Sequence, residues 1–280
     1  MAAPLSPSAG PALPGGSPPS PPLLTQAAGS MGSAFLGVAE TAGGMAVLFV
    51  RIVGRLARLK LDYPELKRNL YRMAVKSLPI VVVTALFTGA IMVIQAAPIV
   101  KRFGAQGLLG WGAGFGTLRE VAPLLTALMI SGRVGANNTA ELGTMVVTEQ
   151  VDALRTLAID PLSFLIVPRF LAIVMTLVMM TLYADALALF GAAYSGLALL
   201  QIEPVSFYNG LTGGLLHFGD VANGITKSFV FGVMIAVSSC YFGLSTKGGA
   251  PGVGRSVNGT VVASAAGIFI VDYLVGFLLG

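Results

Sequence analysis

The residues that could do chemistry in this sequence are ionisable side chains inside, or at the edges of, long apolar stretches. They include Arg119, Glu120, Arg133, Arg169, Asp185, Lys227 and Asp272. A charge at the centre of a bilayer costs at least about 2.5 kcal/mol, so such groups should face a protein interior, a wet cavity or an interface. The carboxylates suit a proton relay, although hydrogen-bonded structural roles are equally open. For Arg169 and Lys227, near predicted span ends, we expect the long stems to carry the charge to the headgroup layer.

Arg119 and Glu120 need a separate explanation because they are adjacent. Neighbours on a helix point about 100° apart and cannot simply pair, so one or both must find another partner. Further along the same segment, Arg133, Asn137 and Glu141 stand among small residues. A helix with a small, polar face is suited to close packing or to lining a path. These three residues therefore predict a polar intramembrane network, which serves either as a packing core or as a pathway.

The sequence gives no support for an enzyme, a metal site or a cofactor bound by this chain. His217 is the only histidine and Cys240 the only cysteine, which leaves neither a catalytic triad nor a zinc site. The glycine-rich stretch at 248–254 lacks the lysine-hydroxyl ending of a phosphate-binding loop and the strand that precedes one. We expect a tight turn there.

The composition indicates that these residues belong to a membrane protein. Of 280 residues, 55% are hydrophobic and 10% are charged, against roughly 25% charged in soluble domains. Eight of the 17 basic residues lie between Arg51 and Lys76, directly before an uncharged run at 77–100. This run is long enough to cross the hydrocarbon core of about 30 Å. The basic cluster beside it indicates a cytoplasmic N-terminal side and argues against nucleic-acid binding.

We predict an all-α membrane protein with an N-terminal amphipathic interfacial helix and five transmembrane helices. The Pro-rich tail at 1–34 is expected to be disordered. The interfacial helix is expected at 35–62, with a solvated helix packed on the protein as the alternative. The spans are expected at 77–100, 117–143, 162–200, 221–244 and 258–279, with the glycine-rich stretch 101–116 at the far membrane face. The third segment is too long for one straight span, so we expect it to tilt or to continue past the bilayer.

A short amphipathic helix is predicted at 148–158, on the cytoplasmic side. Thr148 suits the N-cap, and Glu149 and Asp152 place negative charge in the first turn, where the helix dipole favours it. An apolar stripe follows, formed by Val151, Leu154, Leu157 and Ala158. Such a helix can dock into a partner's groove or lie on the membrane.

An ordered series of motifs runs through the chain. The main pieces are LREVAPLLTAL at 118–128, SGRVGA at 131–136, AELGTM at 140–145, TEQVDAL at 148–154 and GGAPGVG at 248–254; shorter ones are DP at 160–161, VPR at 167–169 and KS at 227–228. In this series the sequence resembles the MlaE/YrbE permeases, the membrane subunits of MCE-associated ABC lipid transporters. The resemblance covers roughly 35–280, and the ordered pattern is far more specific than the Arg-Glu pair alone.

The resemblance implies a permease domain at 35–280 that forms a homodimer in the bacterial inner membrane. It further implies two cytoplasmic ABC ATPases, which hydrolyse the ATP, and an MCE-domain protein on the external side. Phospholipid would enter a cavity between the two copies. Arg119 and Glu120 match the family's pair beside that cavity and would line or support it, with Leu118, Val121 and Leu125 as candidates for its apolar wall.

The same resemblance makes the 148–158 segment a coupling helix. Glu149 and Asp152 would be its polar contacts with the ATPase, and Leu154 would contribute from the apolar stripe. Two other functions stay open on the residues alone. One is an ion- or proton-coupled secondary transporter or channel that uses Glu120, Asp185 and Asp272 and needs no ATPase. The other is a membrane scaffold that transports nothing.

Overall fold

The structure is a computed structural model that describes residues 23–57, 63–104, 106–213 and 216–279. Over these ranges the regular elements are all helical. Contacts divide the chain into two compact units, up to Gly43 and from Gly44 onward, and every site described below lies in the second unit.

Ten α-helices follow one another along the described residues. They are α1 (Leu23–Leu56), α2 (Tyr63–Phe103), α3 (Leu109–Gly116), α4 (Ala122–Ile130), α5 (Ala136–Val147), α6 (Gln150–Thr156), α7 (Val167–Leu200), α8 (Pro204–Thr212), α9 (Phe218–Leu244) and α10 (Gly249–Leu279). Three π-helical turns lie between them, at Thr117–Val121, Ser131–Gly135 and Leu162–Ile166, and a 3-10 turn at Gln106–Leu108 precedes α3.

Six helical stretches in the described part are long and apolar enough to cross a membrane. They are Phe35–Leu56, Tyr63–Phe103, Leu109–Val147, Leu162–Leu200, Phe218–Leu244 and Gly249–Leu278. The prediction of an all-α membrane protein is confirmed, and each of the last five stretches overlaps one of the five predicted spans. The first contains most of the segment predicted to lie in the interface. Because its length and composition also admit a crossing, the interfacial position stays a prediction.

The helices extend beyond several predicted boundaries. Helix α1 begins at Leu23, inside the predicted tail, and residues 1–22 lie outside the described part. After Pro22 the chain has no proline until Pro64, so every backbone N–H in between can join a helical ladder. Helix α2 begins 14 residues before the predicted span at 77–100. Its first turns are polar, so hydropathy does not predict them. Of the predicted interfacial segment, 58–62 also lies outside the described part.

The glycine-rich segments are more helical than the sequence indicates. Residues 109–116 form α3, which continues through the first π turn into α4. The turn predicted at 248–254 is shorter, because α10 already begins at Gly249. Positive φ angles at Gly248 and Gly249 (86° and 69°) make the reversal. Pro251 then fits the first helical turn, where a missing N–H costs nothing.

Helices α2 and α7 cross in close contact, and two glycines make that approach possible. A methyl group added at Gly89 would lie 1.7 Å from the Ala188 carbonyl oxygen, and one at Gly191 would lie 2.2 Å from the Leu86 oxygen. Small residues at such crossings let membrane helices pack backbone against backbone. Helix α7 runs as one continuous helix from Val167 to Leu200.

We expect Gly191→Ala to destabilise the protein by roughly 1–3 kcal/mol, because the new methyl group meets a backbone carbonyl that cannot rotate away. The measurement is thermal unfolding of the detergent-purified chain, followed by size-exclusion chromatography. Gly112→Ala is the matched control, since a methyl group at Gly112, in α3, meets nothing within 4 Å. Equal melting temperatures for the two variants would contradict the close crossing.

The outer surface of the bundle is apolar in stripes. On α2 the exposed side chains include Val83, Phe87, Ile91 and Ile94, which recur at helical spacing. On α10 they include Val262, Phe269, Tyr273 and Phe277. Apolar stripes of this extent are incompatible with water and suit contact with lipid or with another protein.

Candidate functional site: ion pairs within the helical bundle

Two π-helical turns interrupt the helical stretch that contains α3, α4 and α5, and both carry charged residues. Thr117–Val121 contains Arg119 and Glu120, and Ser131–Gly135 contains Arg133. A π turn changes the direction of the side chains that follow it, and such turns are frequent at functional sites. Their positions had no signal in the sequence, because the residues around them suit an ordinary α-helix.

Lys227 of α9 forms the centre of a buried ion cluster. Its ammonium group contacts the carboxylate of Glu120 and lies 2.9 Å from Oδ1 of Asp272, on α10. The Lys227 side chain is only 3% exposed, whereas that of Glu120 is 46% exposed. The expectation that Lys227 extends to the headgroup layer is wrong, because two carboxylates neutralise it inside the bundle. The cluster is open to its surroundings through Glu120.

Arg119 pairs with a different residue of α9, Asp220. Its Nη1 lies 3.5 Å from Oδ1 of Asp220, and its guanidinium carbon lies 5.3 Å from the ring centroid of Phe115. That distance is within the range of a cation–π contact. Asp220 and Lys227 are seven residues apart and so lie on one face of α9, two turns from each other. The prediction that one or both of Arg119 and Glu120 find another partner is confirmed, and the structure gives a partner to each.

Gly224 allows α9 to approach the first π turn between these two ion pairs. A methyl group at Gly224 would lie 2.2 Å from the carbonyl oxygen of Leu118. The Leu118 side chain is buried inside the chain, so it has no surface with which to form the wall predicted for it. Val121 is half-buried and Leu125 is exposed, and these two retain the accessibility that such a wall requires.

A second polar network joins α5 to α2 and α7 through Glu141. Its carboxylate lies 2.7 Å from the guanidinium of Arg72 and 3.1 Å from that of Arg169. It also accepts a hydrogen bond of 3.1 Å from the amide of Asn137. Two of the three residues of the predicted polar network, Asn137 and Glu141, are therefore in contact. Arg133 is exposed and makes no ion pair with any residue of the described ranges, so it is not bonded to that network, although it lines the same cavity as Asn137 and Glu141.

Arg169 is buried, which corrects the expectation that it reaches the headgroups. It is 6% exposed, and its Nη1 donates both to Glu141 and, at 3.2 Å, to the amide oxygen of Asn138. The Asn138 amide nitrogen donates in turn to the hydroxyl of Ser239, on α9, at 2.9 Å. Sequence reasoning missed Asn138 as a site residue. Asn138 directly follows Asn137 and therefore lies on another face of the helix. That position was the signal that Asn138 has partners of its own.

Thr139 continues the connections of α5 toward α10, and Asp185 stays apart from them. The hydroxyl groups of Thr139 and Thr260 lie 2.8 Å apart in a buried hydrogen bond. Asp185 is buried in α7, where its Oδ1 has no hydrogen-bond partner among the described residues. Nothing in the described ranges links it to the cluster at Lys227. Three or more His, Cys, Asp or Glu side chains do not come close enough in those ranges to hold a metal.

Helix α6 covers most of the predicted 148–158 helix, with a different start. The Thr148 hydroxyl donates to the Thr144 carbonyl at the end of α5 and does not cap α6, which corrects the N-cap prediction. Glu149 instead occupies the N-cap position in a left-handed conformation (φ 59°). Asp152 is exposed and lies 2.8 Å from Arg155.

Only one residue of the predicted apolar stripe is fully buried. Val151 anchors α6 in the core, Leu154 is half-buried, and Leu157 is 69% exposed. The segment after α6 is attached to α1, since Arg55 lies 2.5 Å from Asp160. Burial alone would raise the pKa of Asp160, but hydrogen bonds from Ser163 and the Leu162 N–H, with the Arg55 charge, lower it below its ordinary value. Asp160 therefore stays ionised and paired at lower pH than a free aspartate.

The sequence is similar to those of known membrane permeases. The profile of the family described as Permease MlaE matches residues 66–278. A probable ABC transporter permease protein of Rickettsia felis is 34% identical over 253 residues, which cover 90% of this chain and 97% of the relative. Another, of Synechocystis sp., is 39% identical over 204 residues, covering 73% and 77%. Protein TRIGALACTOSYLDIACYLGLYCEROL 1, chloroplastic, of Arabidopsis thaliana is 34% identical over 224 residues, covering 80% and 64%. The family match extends from the polar start of α2 to the end of α10 and includes both π turns, so the chain belongs to the MlaE family of permeases.

Proposed function

We propose that this chain is the membrane-spanning permease subunit of an ABC-type transporter of lipids, phospholipids in particular. The observation that carries the proposal is the family match over 66–278. Two relatives are named as probable ABC transporter permease proteins, and the Arabidopsis relative is named after a lipid, trigalactosyldiacylglycerol. ATP is hydrolysed by a partner ATPase, and an MCE-domain protein receives or supplies lipid on the opposite side of the membrane.

The lipid path in this proposal passes the first π turn, between two copies of the chain. Glu120 reaches out of its ion cluster with nearly half of its side chain exposed, and Leu125 is exposed close to it in sequence. A polar group next to an apolar surface suits a ligand with a charged head and hydrocarbon tails. Arg119, Val121 and Leu125 are then the accessible lining, and Lys227 and Asp220 hold the charged pair in position.

The ATPase contact in this proposal is α6. Val151 fixes the helix to the core, and the pair of Arg55 with Asp160 ties the following segment to α1. A helix fixed at both ends moves with the bundle and transmits a displacement of the ATPase to it. Glu149 and Asp152 offer negative charge to a basic groove, and Leu157 offers an exposed apolar side chain.

We expect charge reversal of both acids, Glu149→Lys with Asp152→Lys, to reduce ATP-driven lipid transfer by at least about tenfold. The reason is that like charges brought together at an interface cost on the order of several kcal/mol, and about 1.4 kcal/mol already corresponds to a tenfold change. The measurement is lipid transfer in proteoliposomes that contain this chain, its ATPase and its MCE partner. Glu203→Lys is the matched control, because Glu203 is an exposed acid in the segment between α7 and α8. Transfer that continues unchanged in the double variant, or without ATP, would refute the coupling.

The buried group of Glu120, Lys227 and Asp272 favours one rival, an ion- or proton-coupled transporter without an ATPase. Two carboxylates sharing one ammonium group resemble the proton sites of membrane pumps. The rival predicts flux in proteoliposomes that contain this chain alone, driven by an imposed pH gradient. The ABC proposal predicts no such flux.

A scaffold function, by contrast, predicts that the purified chain carries no bound lipid, which mass spectrometry of co-purified lipids checks.

A further inference from the structure

A polar cavity lies apart from the Lys227 cluster, between the first turns of α2 and the second π turn with the start of α5. Its volume is about 320 Å³, at the lower end of the roughly 300–1,000 Å³ typical of small-molecule sites. Its polar lining includes Asn69, Arg72, Lys76, Arg133, Asn137 and Glu141. Neither the transport path nor the ATPase contact uses this cavity.

The charges around this cavity are unbalanced. Its single carboxylate, Glu141, already contacts Arg72 and Arg169. Lys76 and Arg133 make no ion pair within the described ranges, yet they belong to different helices and face the same space. Two cations brought together without a counter-charge repel each other. Lys76 and Arg133 therefore offer donors for charge-assisted hydrogen bonds, and the described residues provide no anionic acceptor for them.

The position of the cavity limits what that acceptor is. Lys76 directly precedes the uncharged run 77–100, so it stands where polar sequence gives way to membrane-spanning sequence. Arg133 belongs to a stretch long and apolar enough to cross the membrane, and an arginine facing lipid tails is costly. A guanidinium fork and an ammonium group are the side chains that bind phosphate oxygens best. A negatively charged headgroup at the membrane boundary would satisfy both.

We propose that this cavity binds a phosphate-bearing anion, held by Lys76 and Arg133. The phosphate belongs either to a phospholipid headgroup at the boundary or to a soluble phosphate. The site is distinct from the proposed lipid path, and it does not require that the chain transports anything. Arg72 and Asn137 remain engaged with Glu141 and shape the cavity wall.

The test is native mass spectrometry of the full chain in detergent, titrated with phosphatidylglycerol. We expect Lys76→Gln with Arg133→Gln to weaken binding roughly 10- to 30-fold, the effect of losing two basic residues near an anionic headgroup. Lys101→Gln with Arg102→Gln is the matched control, because these exposed basic residues lie at the other end of α2. The control should bind phosphatidylglycerol as the unchanged chain does.

A second arm identifies the source of the phosphate. Inorganic phosphate is added in large excess to the lipid-loaded chain. Retention of phosphatidylglycerol indicates a headgroup site, in which the lipid makes contacts that free phosphate lacks. Displacement, together with binding of inorganic phosphate to the lipid-free chain, indicates a site for soluble phosphate; either result supports the proposal if it depends on Lys76 and Arg133. The proposal is overturned if the double variant binds phosphatidylglycerol and inorganic phosphate as tightly as the unchanged chain does. It is also overturned if the double variant changes its oligomeric state while its binding of both probes stays unchanged, since a second copy of the chain would then cover the two cations.

Discussion

Replacing Lys227 with methionine is expected to destabilise the protein by about 3 kcal/mol and to abolish transport. The change removes the one cation between Glu120 and Asp272, so two carboxylates remain close together without a counter-charge. Breaking a buried pair in this way typically costs about 3–5 kcal/mol. Because Glu120 is 46% exposed, solvent screening places the expected loss toward the lower end. The measurement is the free energy of unfolding in mixed micelles, beside lipid transfer in proteoliposomes.

Neutralising all three groups separates the structural role of the cluster from its functional one. The triple variant Lys227→Met, Glu120→Gln, Asp272→Asn has no buried charge left unpaired, so we expect it to recover most of the lost stability. If the charges themselves serve transport, this variant still fails to transfer lipid. Lys247→Met is the matched control, because Lys247 is exposed in the turn before α10. Unchanged stability of the Lys227→Met variant would contradict the cluster.

Much of the architecture could be predicted because hydrophobicity dominates a membrane protein. The uncharged run at 77–100 and the later apolar segments predict helices in the right places, since every backbone polar group must be satisfied within its own segment. Helix ends were predicted less well. The polar first turns of α2 continue a helix beyond the apolar run, and no hydropathy pattern marks where such a helix begins.

The partners of the charged residues could be predicted only in part. The argument that Arg119 and Glu120 cannot pair depends on helix geometry alone, and it holds. The prediction that Lys227 and Arg169 reach the headgroup layer is wrong, because a long side chain near the end of a span can reach either the headgroups or a carboxylate on a neighbouring helix. That choice depends on which helices are adjacent, and contacts such as Lys227 with Asp272 join residues far apart in the sequence.

The π turns were beyond sequence reasoning for a different reason. π-helical turns are rare and occur mostly as single turns inside α-helices, and the residues of Thr117–Val121 also suit an ordinary α-helix. At Thr117–Val121 the turn packs against α9, which Gly224 allows to approach the backbone at Leu118. The same packing turns Arg119 and Glu120 toward two positions on one helix. The site is therefore a consequence of the helix crossing as well as of the residues themselves.

Replacing Arg169 with methionine is expected to destabilise the protein by about 2–3 kcal/mol. The methionine fills much of the same volume, so the change chiefly removes donors. It leaves the amide oxygen of Asn138 buried without its contact to α7, and an unsatisfied buried polar group costs about 1–3 kcal/mol. Glu141 keeps Arg72 and Asn137 and stays partly compensated, which places the expected effect below that of Lys227→Met.

The Arg169 prediction is tested against an arginine that has the same kind of partner at the surface. Arg155→Met breaks the exposed pair with Asp152, and exposed pairs of this kind contribute less than about 1 kcal/mol. Adding Asn138→Leu to Arg169→Met completes a double-mutant cycle, in which removal of both partners should cost less than the sum of the single changes. Additive losses would mean that Arg169 and Asn138 act independently. In that case the link between α5 and α7 would depend on the contacts of Arg169 with Glu141 and Met145.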